Sequence, residues 1–175
     1  MIFVTLGSQK FPFDRLLRKI DELIEDGVIT EEVFAQTGAS SYKPKHYNYE
    51  AFIDNEKYAH YNRKADIVIA HGGSGAIINA VKLGKPVIAV PRLSEYGEHV
   101  DDHQLEIIEV FEKQKLILAC RDVEQLGQAL REVVEQDFEI YHPNTDRYIR
   151  DLDQYLQKCG RKRKKRGLFS LFHRS

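Results

Sequence analysis

Residues 71–75 read HGGSG and lie between an apolar run, residues 67–70, and a helical pattern that begins at residue 76. Glycines at this position allow the backbone to approach a ligand closely. The first turn of the following helix directs unpaired N–H groups and the positive end of the helix dipole at the loop, which suits a diphosphate. The alternative interpretation is a tight strand-to-helix connection whose glycines serve packing alone.

A second polar segment covers the fourteen residues 91–104. Ten of them have side chains that can form hydrogen bonds, which is more polar side chains than a turn requires. The side chains that we expect to contact a ligand rich in hydroxyl groups are Glu98, His99, Asp102, His103 and Gln104. In the alternative interpretation, Asp101 or Asp102 caps the helix that follows, and the other side chains are solvated.

His99 and His103 are four residues apart, a spacing that metal sites on helices use. The H-E-x-x-H pattern is absent and no third ligand is obvious. The adjacent Asp101 and Asp102 are not spaced to chelate a cation bound to a diphosphate. We therefore expect no metal site.

A hydrolase is a distant alternative function. Residues 72–76, GGSGA, resemble the G-x-S-x-G turn that presents a nucleophilic serine between a strand and a helix. Ser74 would then be the nucleophile, with Asp101 or Asp102 and a later histidine as partners. The chain is short for that fold, and only His103, His142 and His173 follow the aspartates. His103 is too near them in sequence, and His173 is in the C-terminal tail.

Short apolar runs alternate with segments of helical period along the chain. The predicted strands are residues 2–6, 33–37, 49–53, 67–70, 87–90 and 116–119. The predicted helices are residues 12–26, 55–64, 75–83, 102–115, 123–136 and 143–158. Apolar strands separated by helices indicate a parallel sheet covered on both faces. The predicted fold is a single doubly wound, Rossmann-like α/β domain, residues 1–158, of about six strands.

The composition is that of a soluble globular protein, and no run reaches the roughly 20 apolar residues that span a bilayer. Residues 1–6 resemble a strand and not a signal peptide. Cys120 and Cys159 are far apart in sequence, as expected in a reducing cytosol. The net charge of −1 combines a basic tail with a body, residues 1–157, that has 18 basic and 27 acidic residues. An acidic body predicts no nucleic-acid partner.

Three segments carry a resemblance to a known family: VTLGSQKFPFDRLL (residues 4–17), HGGSGAIINAVKLGKPVIAVPR (71–92) and GEHVDDHQLEI (97–107). They resemble the donor-binding subunits of two-component bacterial exopolysaccharide and capsule glycosyltransferases, and the catalytic subunit of the eukaryotic two-part N-acetylglucosaminyltransferase that acts on dolichol-linked sugars. The more distant likeness is to the C-terminal half of the peptidoglycan transferase that makes lipid II. All are in the family-28 group.

This resemblance implies the C-terminal half of a GT-B fold and a UDP-sugar site. Gly7 and Ser8 would approach the donor phosphates. The diphosphate would be held by His71, Gly72, Gly73, Ser74 and Gly75. Asn79 would contact the ribose, where relatives of the peptidoglycan enzyme carry a glutamate. Asp102, His103 and Gln104 would contact the sugar hydroxyls.

The resemblance further implies an inverting hexosyltransferase without metal or cofactor, whose leaving diphosphate is stabilised by backbone amides, a helix dipole and Arg92 or Lys85. The general base is not assigned; His99 and Glu98 are the local candidates. The acceptor would be a polyprenyl-diphosphate-linked sugar, bound by a membrane-anchored partner subunit, because 175 residues provide only one of the two domains required. A non-catalytic donor-binding or enhancer subunit is the other possibility in this class.

The C-terminal tail, residues 159–175, combines six consecutive basic residues from Arg161 to Arg166 with Phe169 and Phe172. A solvated, disordered tail is one interpretation. A surface of anionic lipid attracts basic residues, and phenylalanine enters the headgroup boundary. We expect the tail to hold the protein at the inner face of the cytoplasmic membrane, as a peripheral cytoplasmic protein.

Overall fold

The computed structural model describes residues 1–142, which form a six-stranded sheet flanked by helices. The strands are β1 (Ile2–Thr5), β2 (Val33–Gln36), β3 (Asn48–Glu50), β4 (Ile67–His71), β5 (Val87–Val90) and β6 (Leu118–Ala119). The helices are α1 (Asp14–Glu25), α2 (Asn55–Lys64), α3 (Ser74–Val81), α4 (His103–Lys113) and α5 (Leu126–Glu132). Two short 3₁₀ helices cover Ser94–Tyr96 and Val123–Gln125.

The strand order is β3-β2-β1-β4-β5-β6, and every neighbouring pair is parallel. The chain winds outward from β1 to β3 and then returns to the other side of β1 to begin β4. This reversal places helices on both faces of the sheet, because parallel crossovers are right-handed. The predicted doubly wound α/β fold is confirmed.

Two apolar clusters cover the two faces, and each strand contributes alternate residues to them. One cluster packs α1 and α5 on the sheet through residues that include Leu16, Ile20 and Leu126. The other packs α3 and α4 through residues that include Ile77, Ala80 and Ile108. Burial on both faces explains why the strands are apolar throughout.

Element boundaries differ from the prediction where pairing, rather than composition, decides them. The third strand is Asn48–Glu50 instead of residues 49–53, because its register pairs Asn48 with Phe34 and Glu50 with Gln36. Of the predicted strand 116–119, only Leu118–Ala119 pairs with β5. The predicted helix 123–136 begins as a 3₁₀ turn and ends at Glu132, before the β-branched Val133 and Val134.

The predicted helix 143–158, Cys159 and the basic tail lie outside the described residues. Within residues 1–142, no helix has the length and apolar character needed to cross a bilayer.

Candidate functional site

The carboxyl ends of β1 and β4 lie side by side at the point where the winding of the sheet reverses. The chain leaves β1 toward α1 and leaves β4 toward α3, and these helices pack on opposite faces of the sheet. The two connections therefore separate and leave a crevice between them. Ligands of open α/β sheets bind in this position.

A pocket of about 450 Å³ occupies this crevice. It is lined by Thr5, Gly7, Ser8, Gln9, Gln36, Ile53, Asn55, Tyr58, His71, Gly73, Ser74, Gly75, Ala76 and Asn79. Among the described residues, no aspartate, glutamate, lysine or arginine contributes to the lining. The pocket thus offers uncharged polar groups and backbone to a ligand.

The first turn of α3 opens on to this pocket without a cap. Gly73 precedes the helix and provides no side-chain hydrogen bond, and the first turn contains no acidic residue. Ile77 donates the first backbone hydrogen bond of the helix, to the carbonyl of Gly73. Within residues 1–142, the N–H groups of residues 74–76 have no acceptor. Three free amides at a helix N-terminus form an anion site.

Two of the glycines make room for a side chain of the protein itself. A Cβ atom at Gly73 would lie 2.3 Å from Nε2 of His71, and one at Gly7 would lie 2.8 Å from Cε1 of the same ring. Gly7 also has a φ of +70°, which favours glycine. The imidazole therefore occupies the space between these two glycines.

The remaining glycines of the HGGSG segment have different roles. A Cβ atom at Gly72 would lie 2.7 Å from Cβ of Gln104 and 3.0 Å from Cδ1 of Ile108, so this glycine permits α4 to pack closely. A Cβ atom at Gly75 would meet nothing within 4 Å. The packing interpretation thus applies to Gly72, whereas Gly75 leaves open space beside the first turn of α3, and binding of a diphosphate there remains a prediction.

Of the histidines in the described part of the chain, His71 is the one that lines the pocket. Its Nδ1 lies 3.2 Å from the carbonyl oxygen of Thr5, which can only accept, so Nδ1 carries the proton and Nε2 is left as an acceptor. Burial lowers the pKa of His71 from 6.5 to about 4, and the positive charge of Arg92 acts in the same direction. The imidazole is therefore neutral at pH 7.

Arg92 was predicted to contact the diphosphate, and its side chain lies elsewhere. It is fully buried, and its Nη2 donates to the carbonyl oxygens of Leu6 at 2.7 Å and Phe11 at 3.2 Å. Burial lowers the pKa of Arg92 to about 10, so the guanidinium remains charged at pH 7. Arg92 holds the connection between β1 and α1 and does not line the pocket.

The expectation that Lys85 stabilises the diphosphate is wrong. Lys85 precedes β5, at the amino edge of the sheet, where its charge acts on Asp66 before β4. The pocket is at the opposite, carboxyl edge. Neither of the two predicted cations therefore faces the pocket.

The residues predicted to contact sugar hydroxyls also lie outside the pocket lining. Gln104 is buried, and its Oε1 accepts from the N–H of Arg92 at 3.0 Å. The Asp102 carboxylate is exposed and accepts from the N–H of Ser94 at 2.8 Å. His103 is exposed and lies 3.0 Å from the carboxylate of Glu106. Their contact with a sugar remains a prediction.

Of the two candidate general bases, Glu98 is engaged in an ion pair with Arg15. Its buried carboxylate accepts from Nε and Nη2 of Arg15 at 3.1 and 3.0 Å, and from the N–H of Leu93 at 3.2 Å. Its use as a general base would require the carboxylate to give up these contacts, and it remains a prediction. His99 is half-buried beside Phe11, and its Nδ1 lies 3.0 Å from the carboxylate of Asp101. That contact orients the ring and leaves Nε2 free within the described part of the chain.

Several lining residues were missed by the sequence analysis. Thr5 and Gln36 end β1 and β2, and the Thr5 hydroxyl donates to Oε1 of Gln36 at 3.0 Å. A polar residue at the end of an apolar strand was the available signal. Ile53, Asn55 and Tyr58, from the start of α2 and the segment before it, gave no signal, because their role depends on where α2 packs.

Ser74 does not have the surroundings of a nucleophile. It is the first residue of α3, and in the described chain it makes no hydrogen bond to a histidine. The strained turn of a nucleophile elbow is also absent, since the one non-glycine residue with positive φ among residues 1–142 is Lys115. This geometry gives no support to the hydrolase alternative.

No group of three or more His, Cys, Asp or Glu side chains among residues 1–142 is arranged to hold a metal ion. His99 and His103 have separate carboxylate partners, Asp101 and Glu106. Independence from metal stays a prediction.

The model of the glycosyltransferase family 28 C-terminal domain matches residues 1–166. The chain belongs to this family. Its predicted membership is confirmed, and the six-stranded sheet is the family's half of a GT-B fold.

Relatives of this family-28 domain include the UDP-N-acetylglucosamine transferase subunit ALG13 of Homo sapiens, with 29% identity over 133 residues, 68% of this chain and 11% of the relative. Among solved structures, the NMR structure of ALG13 has a TM-score of 0.53 at 18% identity, over 87% of this chain and 94% of that one. The glycotransferase of kitacinnamycin has a TM-score of 0.56 at 14% identity, over 77% and 35%. The structural likenesses concern the fold alone.

The matched segment covers between 11% and 32% of the length of the human and fungal curated relatives. The family-28 domain described here thus corresponds to a part of those proteins.

Proposed function

We propose that this chain is the donor-binding, catalytic subunit of a UDP-sugar-dependent glycosyltransferase. The observation that carries the proposal is the pocket between β1 and β4, where the free amides of α3 meet a lining to which residues 1–142 contribute no Asp, Glu, Lys or Arg side chain. A diphosphate fits this combination, because helix N-termini bind anions through N–H groups and the dipole. The relatives named as transferase subunits support the same function.

The rest of the pocket accommodates a nucleoside. With the diphosphate on residues 74–76, Asn79 lies one turn further along α3 and is exposed to contact a ribose hydroxyl. Ile53 and Tyr58 provide an apolar wall for a base. Gln36 accepts from Thr5 through Oε1, which leaves its amide group as a donor.

The reaction requires no metal in this proposal. An acceptor hydroxyl attacks the anomeric carbon, the bond from that carbon to the diphosphate breaks, and its electron pair moves to the phosphate oxygen. The amides and dipole of α3 stabilise that developing charge. Attack on the side opposite the leaving group inverts the anomeric configuration.

The proton of the acceptor hydroxyl needs a base. His99, oriented by Asp101, is the candidate from this chain. The engagement of Glu98 by Arg15 favours a second arrangement, in which this chain is a donor-binding subunit and its partner supplies the base. Transfer by the complex that persists in His99→Gln would identify the second arrangement.

The acceptor in our proposal is a polyprenyl-diphosphate-linked sugar of exopolysaccharide or capsule assembly, presented by a membrane-anchored partner subunit. A GT-B transferase needs two α/β domains, and the relatives named as subunits of a transferase support a partner that supplies the second. The tail, with Arg161 to Arg166, Phe169 and Phe172, would keep the subunit at the inner face of the cytoplasmic membrane.

A thermal-unfolding titration with UDP-glucose, UDP-N-acetylglucosamine and UDP tests the proposal, with ADP-glucose as the control nucleotide sugar. A ligand at 100 times its Kd should stabilise the protein by about 2.7 kcal/mol. We expect stabilisation by UDP and by at least one UDP-sugar. Equal stabilisation by ADP-glucose, or none by any uridine nucleotide, would contradict the proposed function.

A further inference from the structure

Among residues 1–142, no lysine or arginine side chain lines the candidate diphosphate site, although a diphosphate carries two negative charges. Arg92 donates hydrogen bonds to backbone carbonyls of the β1–α1 connection, and Lys85 lies at the opposite edge of the sheet. Among the described lining residues, His71 and Tyr58 are the titratable ones. His71 is thus the lining side chain that can become positively charged.

The hydrogen bonds of His71 define which ring nitrogen is available. Nδ1–H is directed at the carbonyl of Thr5, and that acceptor is compatible with both the neutral and the charged ring. Nε2 has no hydrogen-bond partner within residues 1–142 and lies beside Gly73, the residue that precedes the free amides of α3. A proton added at Nε2 would therefore become a donor next to the anion site.

The charged neighbours of His71 favour the neutral ring while the pocket is empty. Arg92, after β5, and His99, from the connection that follows it, both oppose a positive charge on His71. No carboxylate among the described residues lines the pocket to offset them. A bound diphosphate would bring the opposite charge, and an opposite charge within about 4–6 Å moves a pKa by one to three units.

We infer that His71 takes up a proton from solvent when the donor diphosphate binds, and donates an Nε2–H hydrogen bond to it throughout the transfer. The proton is not consumed: it stays on His71 while the sugar moves to the acceptor, and returns to solvent when the nucleoside diphosphate leaves. His71 is then a catalytic residue that stabilises the leaving group. This inference rests on the proposed function.

Calorimetric titration of the full chain with UDP-N-acetylglucosamine, in two buffers of different ionisation enthalpy, measures the protons taken up. A UDP-sugar is preferred to UDP, because its diphosphate has no terminal phosphate that titrates near pH 6. If UDP-N-acetylglucosamine does not bind, UDP-glucose is the second probe. A shift of one to three units from a pKa of about 4 predicts uptake of roughly 0.1 to 0.9 proton at pH 6, with a decrease toward zero as the pH rises above the bound-state pKa.

The matched variants are His71→Gln and His60→Gln, the latter on the exposed surface of α2. His71→Gln should bind the UDP-sugar more weakly and without proton uptake, whereas His60→Gln should behave as the wild type. Side-chain ¹⁵N shifts of His71 in the wild type provide a direct check that does not depend on the folding of a variant.

Binding of the UDP-sugar by the wild type with no proton uptake, and with His71 shifts of a neutral ring, would overturn the inference and leave the proposed function intact. Failure of both UDP-sugars and of UDP to bind would instead contradict the proposed function.

Discussion

His71 is half-buried between Gly7 and Gly73, and its loss of solvation opposes protonation, although the hydrogen bond from Nδ1 to the Thr5 carbonyl favours it. The pKa of this histidine is about 4 in the folded chain, against 6.5 for an exposed one. As the pH falls below 6.5, the unfolded chain therefore binds a proton that the folded chain does not. The free energy of unfolding decreases over this range, until the folded chain also binds the proton near pH 4.

We predict that the free energy of unfolding falls between pH 7 and pH 4 by on the order of 3 kcal/mol through His71 alone. Urea unfolding at both pH values, for the wild type and His71→Gln, measures this contribution as the difference between the two decreases. His60→Gln, at an exposed position, is the control. Identical decreases in the wild type and His71→Gln would contradict the burial of a neutral imidazole.

The glycines of the HGGSG segment give a second prediction at the residue scale. Gly73→Ala places a methyl group against Nε2 of His71, which should cost about 1–3 kcal/mol of stability. Gly75→Ala meets no protein atom within 4 Å and should leave stability unchanged or raise it by up to about 1 kcal/mol. Denaturant unfolding of both variants measures these effects.

UDP binding by the same two variants separates packing from ligand contact. Gly75 lines the pocket, so the methyl group of Gly75→Ala should weaken UDP binding in a protein that is fully folded. A tenfold loss of affinity corresponds to about 1.4 kcal/mol. Unchanged affinity of Gly75→Ala for UDP would place the diphosphate elsewhere.

At the scale of elements, the connection after β1 is held in place by the connection after β5. Arg92 donates to the carbonyls of Leu6 and Phe11, and Arg15 at the start of α1 pairs with Glu98 and donates to the carbonyl of Pro91 at 3.3 Å. These contacts join two loops that are more than 70 residues apart in sequence. Gly7 and Ser8 are therefore positioned by residues that do not touch the pocket.

We predict that Arg92→Met destabilises the protein by about 1–3 kcal/mol, because it leaves buried carbonyl groups without their donor. Hydrogen exchange should accelerate at residues 7–12, and UDP affinity should fall although Arg92 does not line the pocket. Arg121→Met is the matched control, since its ion pair with Glu112 is largely exposed and such pairs contribute about 0–1 kcal/mol. Equal effects of the two variants would refute the role of Arg92.

The elements of this fold were predictable because apolar strands and helical periods are local properties of the sequence. The uncapped first turn of α3 was predictable for the same reason, since glycines before a helix form a local pattern. The directions in which Arg92, Gln104 and Glu98 point could not be predicted. Their residue types suit a ligand, but packing across the sheet decides whether such a side chain points to a ligand or to another loop. Tyr58 joins the pocket through such packing alone.

At the scale of the whole molecule, we expect an anionic surface to repel the acidic body, residues 1–157, and to attract the basic tail. Residues 158–175 contain 8 of the 26 basic residues and no acidic one. Each basic residue near an anionic leaflet contributes about 1 kcal/mol of attraction. Deletion of residues 159–175 should release the protein from vesicles that contain phosphatidylserine, as measured by co-sedimentation, and leave UDP binding intact. Vesicle binding that survives the deletion would refute the tethering role of the tail.

The location of the diphosphate on α3 is the central claim, and amide chemical shifts on addition of UDP to the ¹⁵N-labelled full chain test it most directly. The account predicts that the largest shifts occur at Ser74, Gly75 and Ala76, with smaller ones at Gly7 and Asn79. A second polar pocket of about 460 Å³, lined in part by Glu31, Lys45 and His46, provides the internal comparison. Shifts confined to that pocket, or unchanged amides at residues 74–76 in a protein saturated with UDP, would contradict the account.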